Sequence, residues 1–200
     1  GFFLETFQAN KYLEEVGISD TFVQDNHSRS SKGVLRGLHL QNKNPQGKLV
    51  RVSCGEVLDV AVDLRKYSDT FGQAETFILS EKNFRQLWIP PGFAHGFMVL
   101  SDVADFQYKC TQYYDHADEI SIFWNDPDLN ISWPINFEPI VSERDQAAQS
   151  FQEFCNQWCW WVYKLKNIVV IGAGYVGMSL AALLAQKNAV QILEIDENKK

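Results

Sequence analysis

From Lys48 to Trp124 the chain is a succession of short apolar runs broken by turns. The runs fall at 49–53, 57–64, 76–79, 86–89, 96–100, 105–111 and 120–124, and Cys-Gly, Tyr-Ser-Asp and Pro-Pro-Gly lie between them. Short strands at this spacing, rich in Val, Ile, Phe and Tyr, predict an antiparallel sandwich or barrel. One short helix is expected over 10–16 and another over 143–154, where Ser142 can cap the N-terminus. Residues 155–163 contain Trp158, Trp160 and Trp161 and follow neither a period of 2 nor one of 3.6, so no element is predicted there.

The pattern then changes type. Residues 167–172 read as a buried parallel strand, 175–187 as a helix and 190–195 as a second strand, the opening of a βαβ Rossmann unit. Gly172, Gly174 and Gly177 would admit a pyrophosphate at the helix N-terminus, and Glu194 would hold a ribose hydroxyl. A dinucleotide site needs the rest of a doubly wound sheet, and too few residues follow Lys166 to build it, so NAD is not an expected cofactor. The expected organisation is a β-rich domain over 1–151, a spacer over 152–166 and an incomplete Rossmann fragment over 167–200.

With 46% hydrophobic and 14% aromatic residues the composition is that of a folded globular chain. A formal charge of −7 repels polyanions, so nucleic acid is not an expected partner and a nucleotide site must be locally basic. Cys54, Cys110, Cys155 and Cys159 lack the spacing of a disulfide framework or a zinc site and read as buried or free thiols, which suits a reducing cytoplasm. Neither a signal peptide nor a membrane span is expected. The opening Gly1-Phe2-Phe3-Leu4 is already apolar and strand-like, as if the N-terminus were clipped.

The densest polar cluster is Gln24-Asp25-Asn26-His27-Ser28 followed by Leu35-Arg36-Gly37-Leu38-His39. Buried polar groups need partners, and a strand pair at a barrel mouth offers few, so a polar ligand is implied. Strict alternation from Arg36 puts His39 on the opposite strand face. For both to touch one ligand, a bulge or strand end must intervene.

Together with Gln46-Gly47-Lys48-Leu49-Val50-Arg51, the stretch from Gln86 to Phe97 and Tyr108-Lys109-Cys110-Thr111, these motifs resemble the dTDP-4-dehydrorhamnose 3,5-epimerases, in order from Gly1 to about Phe151. The resemblance implies a mainly β, cupin-like double-stranded β-helix, or jelly roll, acting as a cofactor-free homodimer on a dTDP-sugar. It also implies the reaction: inversion of C3 and C5 in dTDP-4-dehydro-6-deoxy-D-glucose, a step toward dTDP-L-rhamnose. Protons flanking a ketone are acidic, and inversion removes each from one face and returns one on the other. His39 would be the base, Asp145 the carboxylate that orients it and Tyr108 the opposing acid. Lys48 would stand by the developing enolate. Glu5, Gln24, Asn26, Arg36, Lys48, His95, Glu119 and Arg144 would surround nucleotide and sugar, with Tyr114 stacked on thymine. The family usually has Lys where Arg144 stands, and carries an Arg just before Gly1, in a segment that exchanges with or covers the partner subunit.

Other readings remain beside this one. His27, His39, His95 and His116 lack the His-x-His pairing of metal-binding cupins, so no metal is expected. The tail resembles the start of a UDP-glucose 6-dehydrogenase. Rival functions are a sugar-nucleotide binding module without turnover, a single-carbon epimerase or ketoisomerase, and a truncated fusion with an NAD-dependent dehydrogenase.

Overall fold

The computed structural model describes residues 1–134, 137–163, 168–171 and 190–193. Eight strands dominate: β1 (Gln24–Ser31), β2 (Val34–Gln41), β3 (Lys48–Cys54), β4 (Glu56–Asp63), β5 (Ala74–Ser80), β6 (Gln86–Ile89), β7 (Phe93–Val99) and β8 (Val103–Cys110). They form two sheets, in the orders β1-β8-β3-β6 and β2-β7-β4-β5, with every neighbouring pair antiparallel. Two sheets in these orders are the double Greek key of a jelly roll. Short strands β9 (Glu119–Ser121) and β10 (Ile140–Val141) extend the second sheet along β2, antiparallel and parallel respectively.

The apolar runs supply the shared core. Val50, Val52, Val57, Leu79, Ile89, Phe97, Val99 and Phe106 pack together, nearly all fully buried. Each such side chain contributes about 1.5–3 kcal/mol of burial. The rings of Phe97 (β7) and Phe106 (β8) stack across the two sheets with centroids 4.1 Å apart.

Each of the expected runs overlaps a strand, but the one over 120–124 shares only Ile120 and Ser121 with β9. The expected strand pair over 22–39 does not form. β1 pairs with β8 and β2 with β7 and β9, because the turn through Gly33, at φ 81°, carries the chain from one sheet to the other. Their polar inner faces consequently meet across the interior rather than lying side by side.

Helix α1 (Ala9–Val16) forms as expected, and Gly17 ends it in the left-handed conformation. The helix expected over 143–154 is instead two, α2 (Glu143–Gln146) and α3 (Phe151–Tyr163). Gln149 breaks it, because it bridges Ile122 in strand fashion and its carbonyl accepts from Phe123 N at 2.8 Å. The Trp-rich stretch left unassigned is helical backbone within α3.

The chain forms two compact units, Gly1–Phe151 and Gln152–Lys200. In the second, β11 (Ile168–Ile171) and β12 (Val190–Leu193) pair in parallel. The helix expected over 175–187, with Gly172, Gly174, Gly177 and Glu194, lies outside the described residues. Among the described residues no helix is long and apolar enough to cross a membrane.

Candidate active site

A cavity of about 610 Å³ opens between the sheets, within the usual range for small-molecule sites. Strand register explains its first wall. Gln24, Cys110 and Lys48 are cross-strand neighbours on β1, β8 and β3, as are Asn26, Tyr108 and Val50 one step along. Alternation turns these residues inward and sends Asp25, His27 and Arg29 to solvent.

The second wall comes from β2, β7, β9 and α2, which bring Arg36, His39, His95, Glu119, Ser142, Arg144 and Asp145 to the same cavity. Arg36 and His39 both reach it because the β2–β7 register shifts between them. This is the irregularity that simple alternation required. Gly37 makes it sterically feasible: its φ is 121°, and a methyl group there would lie 2.6 Å from Gly96 Cα.

His39 is held between two carboxylates. Its Nε2 lies 2.6 Å from Asp145 Oδ1, and its Nδ1 lies 3.6 Å from Glu119 Oε1. Asp145 is delivered by α2, whose cap Ser142 Oγ accepts from Asp145 N at 3.1 Å. Its other oxygen accepts from Gly37 N at 3.3 Å. Burial opposes ionisation of Asp145, but the bonds from His39, Gly37 and Ser142 prevail and hold its carboxyl below the ordinary range.

Glu119 is a hub. One oxygen accepts from Tyr114 Oη at 2.7 Å and from the Arg144 guanidinium, and the other faces His39. Burial again works against its ionisation, and Tyr114, Arg144 and His39 outweigh it, leaving Glu119 below its usual value. Across the cavity, burial pushes the Tyr108 phenol up, reinforced by Cys110 and Glu119, so it stays protonated. Burial pushes the Lys48 ammonium down, with Cys110, Glu119 and Asp59 partly restoring it.

A second imidazole–carboxylate pair backs the cavity. His95 Nε2 lies 3.0 Å from the fully buried Asp59 Oδ2, while Asp59 Oδ1 has no hydrogen-bond partner. Burial lowers the His95 value against the pull of Asp59, and the nearby Lys48 and His39 add to the lowering. His95 is therefore neutral.

Of the residues singled out in the sequence, His39, Tyr108, Asp145, Gln24, Asn26, Arg36, Lys48, His95, Tyr114, Glu119 and Arg144 all line this cavity. Glu5 does not; it lies in an exposed N-terminal stretch where Phe3 is 96% exposed. Sequence reasoning gave no role to Gln46, Cys110 and Ser142 in the lining, or to Asp59 behind it. Asp59 had a usable signal, a lone acid at an inward position of the apolar run Val57-Leu58-Asp59-Val60-Ala61-Val62. Among the described residues, no three His, Cys, Asp or Glu side chains are grouped to hold a metal ion.

Residues 1–153 match the family model described as dTDP-4-dehydrorhamnose 3,5-epimerase. The chain is 53% identical over 153 residues to the dTDP-4-dehydrorhamnose 3,5-epimerase of Pseudomonas aeruginosa, spanning 76% of this chain and 84% of that protein. It is 56% identical over 149 residues to the Salmonella typhimurium protein of the same description, spanning 74% and 81%. Among solved structures, the dTDP-6-deoxy-D-glucose-3,5-epimerase of Legionella pneumophila, crystallised with dTDP-4-keto-L-rhamnose, is 58% identical. It superposes with a TM-score of 0.74 over 76% of this chain and 81% of that one.

Proposed function

The chain belongs to the dTDP-4-dehydrorhamnose 3,5-epimerase family, and on that premise we propose how its cavity inverts two carbons of a bound dTDP-4-dehydro-6-deoxy-D-glucose. The Nε2–H of His39 donates to Asp145, which leaves the Nδ1 lone pair to remove a proton from C5 or C3. Tyr108, a phenol on the opposing sheet, returns a proton to the other face of the same carbon. Between the two events the electron pair rests on O4 as an enolate, stabilised by the ammonium of Lys48. Neutral His95, fixed by Asp59, offers its remaining ring nitrogen to a sugar hydroxyl. Both inversions are proton transfers with no net change of oxidation state, so the reaction asks for no redox cofactor.

Nucleotide recognition follows from the charged and aromatic groups nearer the mouth. Arg36 and Arg144 suit the diphosphate. Tyr114 offers a ring for thymine, while Gln24 and Asn26 supply amides. The protein works as a homodimer in the cytoplasm, and Glu5 acts in the partner subunit's cavity, a reading supported by its exposure away from its own. The activity belongs to the unit Gly1–Phe151.

One observation carries the mechanism: an imidazole anchored to a carboxylate on one sheet and a protonated phenol on the other line a single cavity. Turnover of the keto-sugar in deuterated water tests it. The wild-type chain should place deuterium at both C3 and C5 and yield the doubly inverted sugar, and His39→Ala should place none. Exchange at one carbon only would make it a single-carbon epimerase, and exchange at neither a binding module.

A further inference from the structure

Each inversion leaves the acid–base pair in the wrong state. When His39 has taken a proton and Tyr108 has given one, the base is protonated and the acid is a phenolate. A second carbon of the same bound sugar is out of reach until both are reset. The sugar itself lies between the two groups, so direct exchange is blocked.

On one side His39 has no way out. Asp145 is 3% exposed, and its oxygens already accept from His39 and from Gly37 N. The other ring nitrogen faces Glu119 Oε1 at 3.6 Å, a gap that a small side-chain rotation closes to hydrogen-bond length. The second oxygen of Glu119 is held by Tyr114 and Arg144, and Tyr114, 47% exposed, reaches solvent.

We propose that Glu119 is the proton exit of the base, carrying the proton from His39 Nδ1 to water at the cavity mouth between the two inversions. The N–H bond of the imidazolium breaks as an O–H bond forms on Glu119 Oε1; that O–H bond then breaks and the proton passes to water. Tyr108 phenolate takes one proton from water, so the count closes with nothing consumed. The groups facing Glu119 suit a carrier rather than a store. Tyr114, Arg144 and His39 favour its ionised form, and Lys48 and Tyr108 lie within electrostatic reach. A proton arriving there is passed on quickly.

The inference rests on the epimerase reading, and Glu119→Gln separates the two. The amide oxygen still accepts from Tyr114 and Arg144 but does not carry a proton. In deuterated water the variant should release singly inverted sugar bearing one deuterium, with the ratio of singly to doubly inverted product raised about 10-fold or more, as for loss of a proton-transfer group. Glu119→Asp, which keeps a carboxylate, should bring the ratio back toward the wild-type value. If Glu119→Gln slows both inversions equally and leaves the ratio unchanged, or if Glu119→Asp behaves like it, the proposal is overturned while the epimerase reading stands. A wild-type chain that exchanges neither carbon overturns both.

Discussion

On the proposed mechanism, a single phenol on β8 decides whether proton removal becomes inversion. Tyr108→Phe leaves the His39–Asp145 pair intact, so the carbon acid should still ionise. Deuterium should then wash into recovered substrate with its configuration retained, while inverted product falls about 10²–10⁴-fold; NMR of the recovered sugar reads both. That His39 and Tyr108 would share a cavity was legible because they sit in motifs with a chemical precedent. Cys110 and Gln46 were not, since a buried thiol or amide in a β-rich run looks the same whether it faces a core or a cavity. Asp59 was legible in principle, because an unpaired buried carboxylate is costly and its place in an apolar run points to a partner such as His95.

At the scale of an element, the deciding feature is the irregularity in β2. Alternation from Arg36 to His39 conflicts with a shared ligand, and that conflict alone announced the register shift. What the pattern did not reveal is how closely β2 and β7 approach there, with Gly37 and Gly96 back to back. Gly37→Ala should therefore cost about 3 kcal/mol, the upper end of ordinary substitutions. It should also depress kcat more than KM, because His39 and the Gly37 N–H that holds Asp145 move together. Thermal unfolding and steady-state kinetics on the same sample check this. The broken helix at 143–154 has the same origin as the failed strand pair over 22–39. In both, long-range pairing, of Gln149 with Ile122 and of β1 with β8, prevailed over a local pattern.

For the molecule as a whole, acid is the expected weakness. Asp105 on β8 is bound by Arg29 and His27 of β1, and Arg29 above all holds its carboxyl down at about 2. A depressed carboxylate stabilises the fold above its unfolded value near 4, and that contribution is lost as pH falls from there toward about 2. Asp145 and Glu119, also held low, act with the same sign. His95 adds a loss at higher pH. It resists a proton that the unfolded chain accepts, so stability also declines as pH drops below about 6.5. Arg29→Ala should lower Tm at pH 7 slightly and lose less than wild type between pH 4 and 2, followed by circular dichroism. The mainly β, antiparallel architecture was legible in seven short apolar runs, whereas which strand lies beside which was not, since β1 pairs with β8 and not with β2.

The stacked rings of Phe97 and Phe106 belong to opposite sheets, and so do His39 and Tyr108. A shim thus sits between the sheets that carry the proposed base and acid. Thinning that shim, as with Phe97→Leu, adds no group to the chemistry and removes none, yet it resizes the gap a sugar ring must straddle. On the proposed mechanism, stereochemical outcome is accordingly adjustable through two rings in the cavity wall that carry no proton.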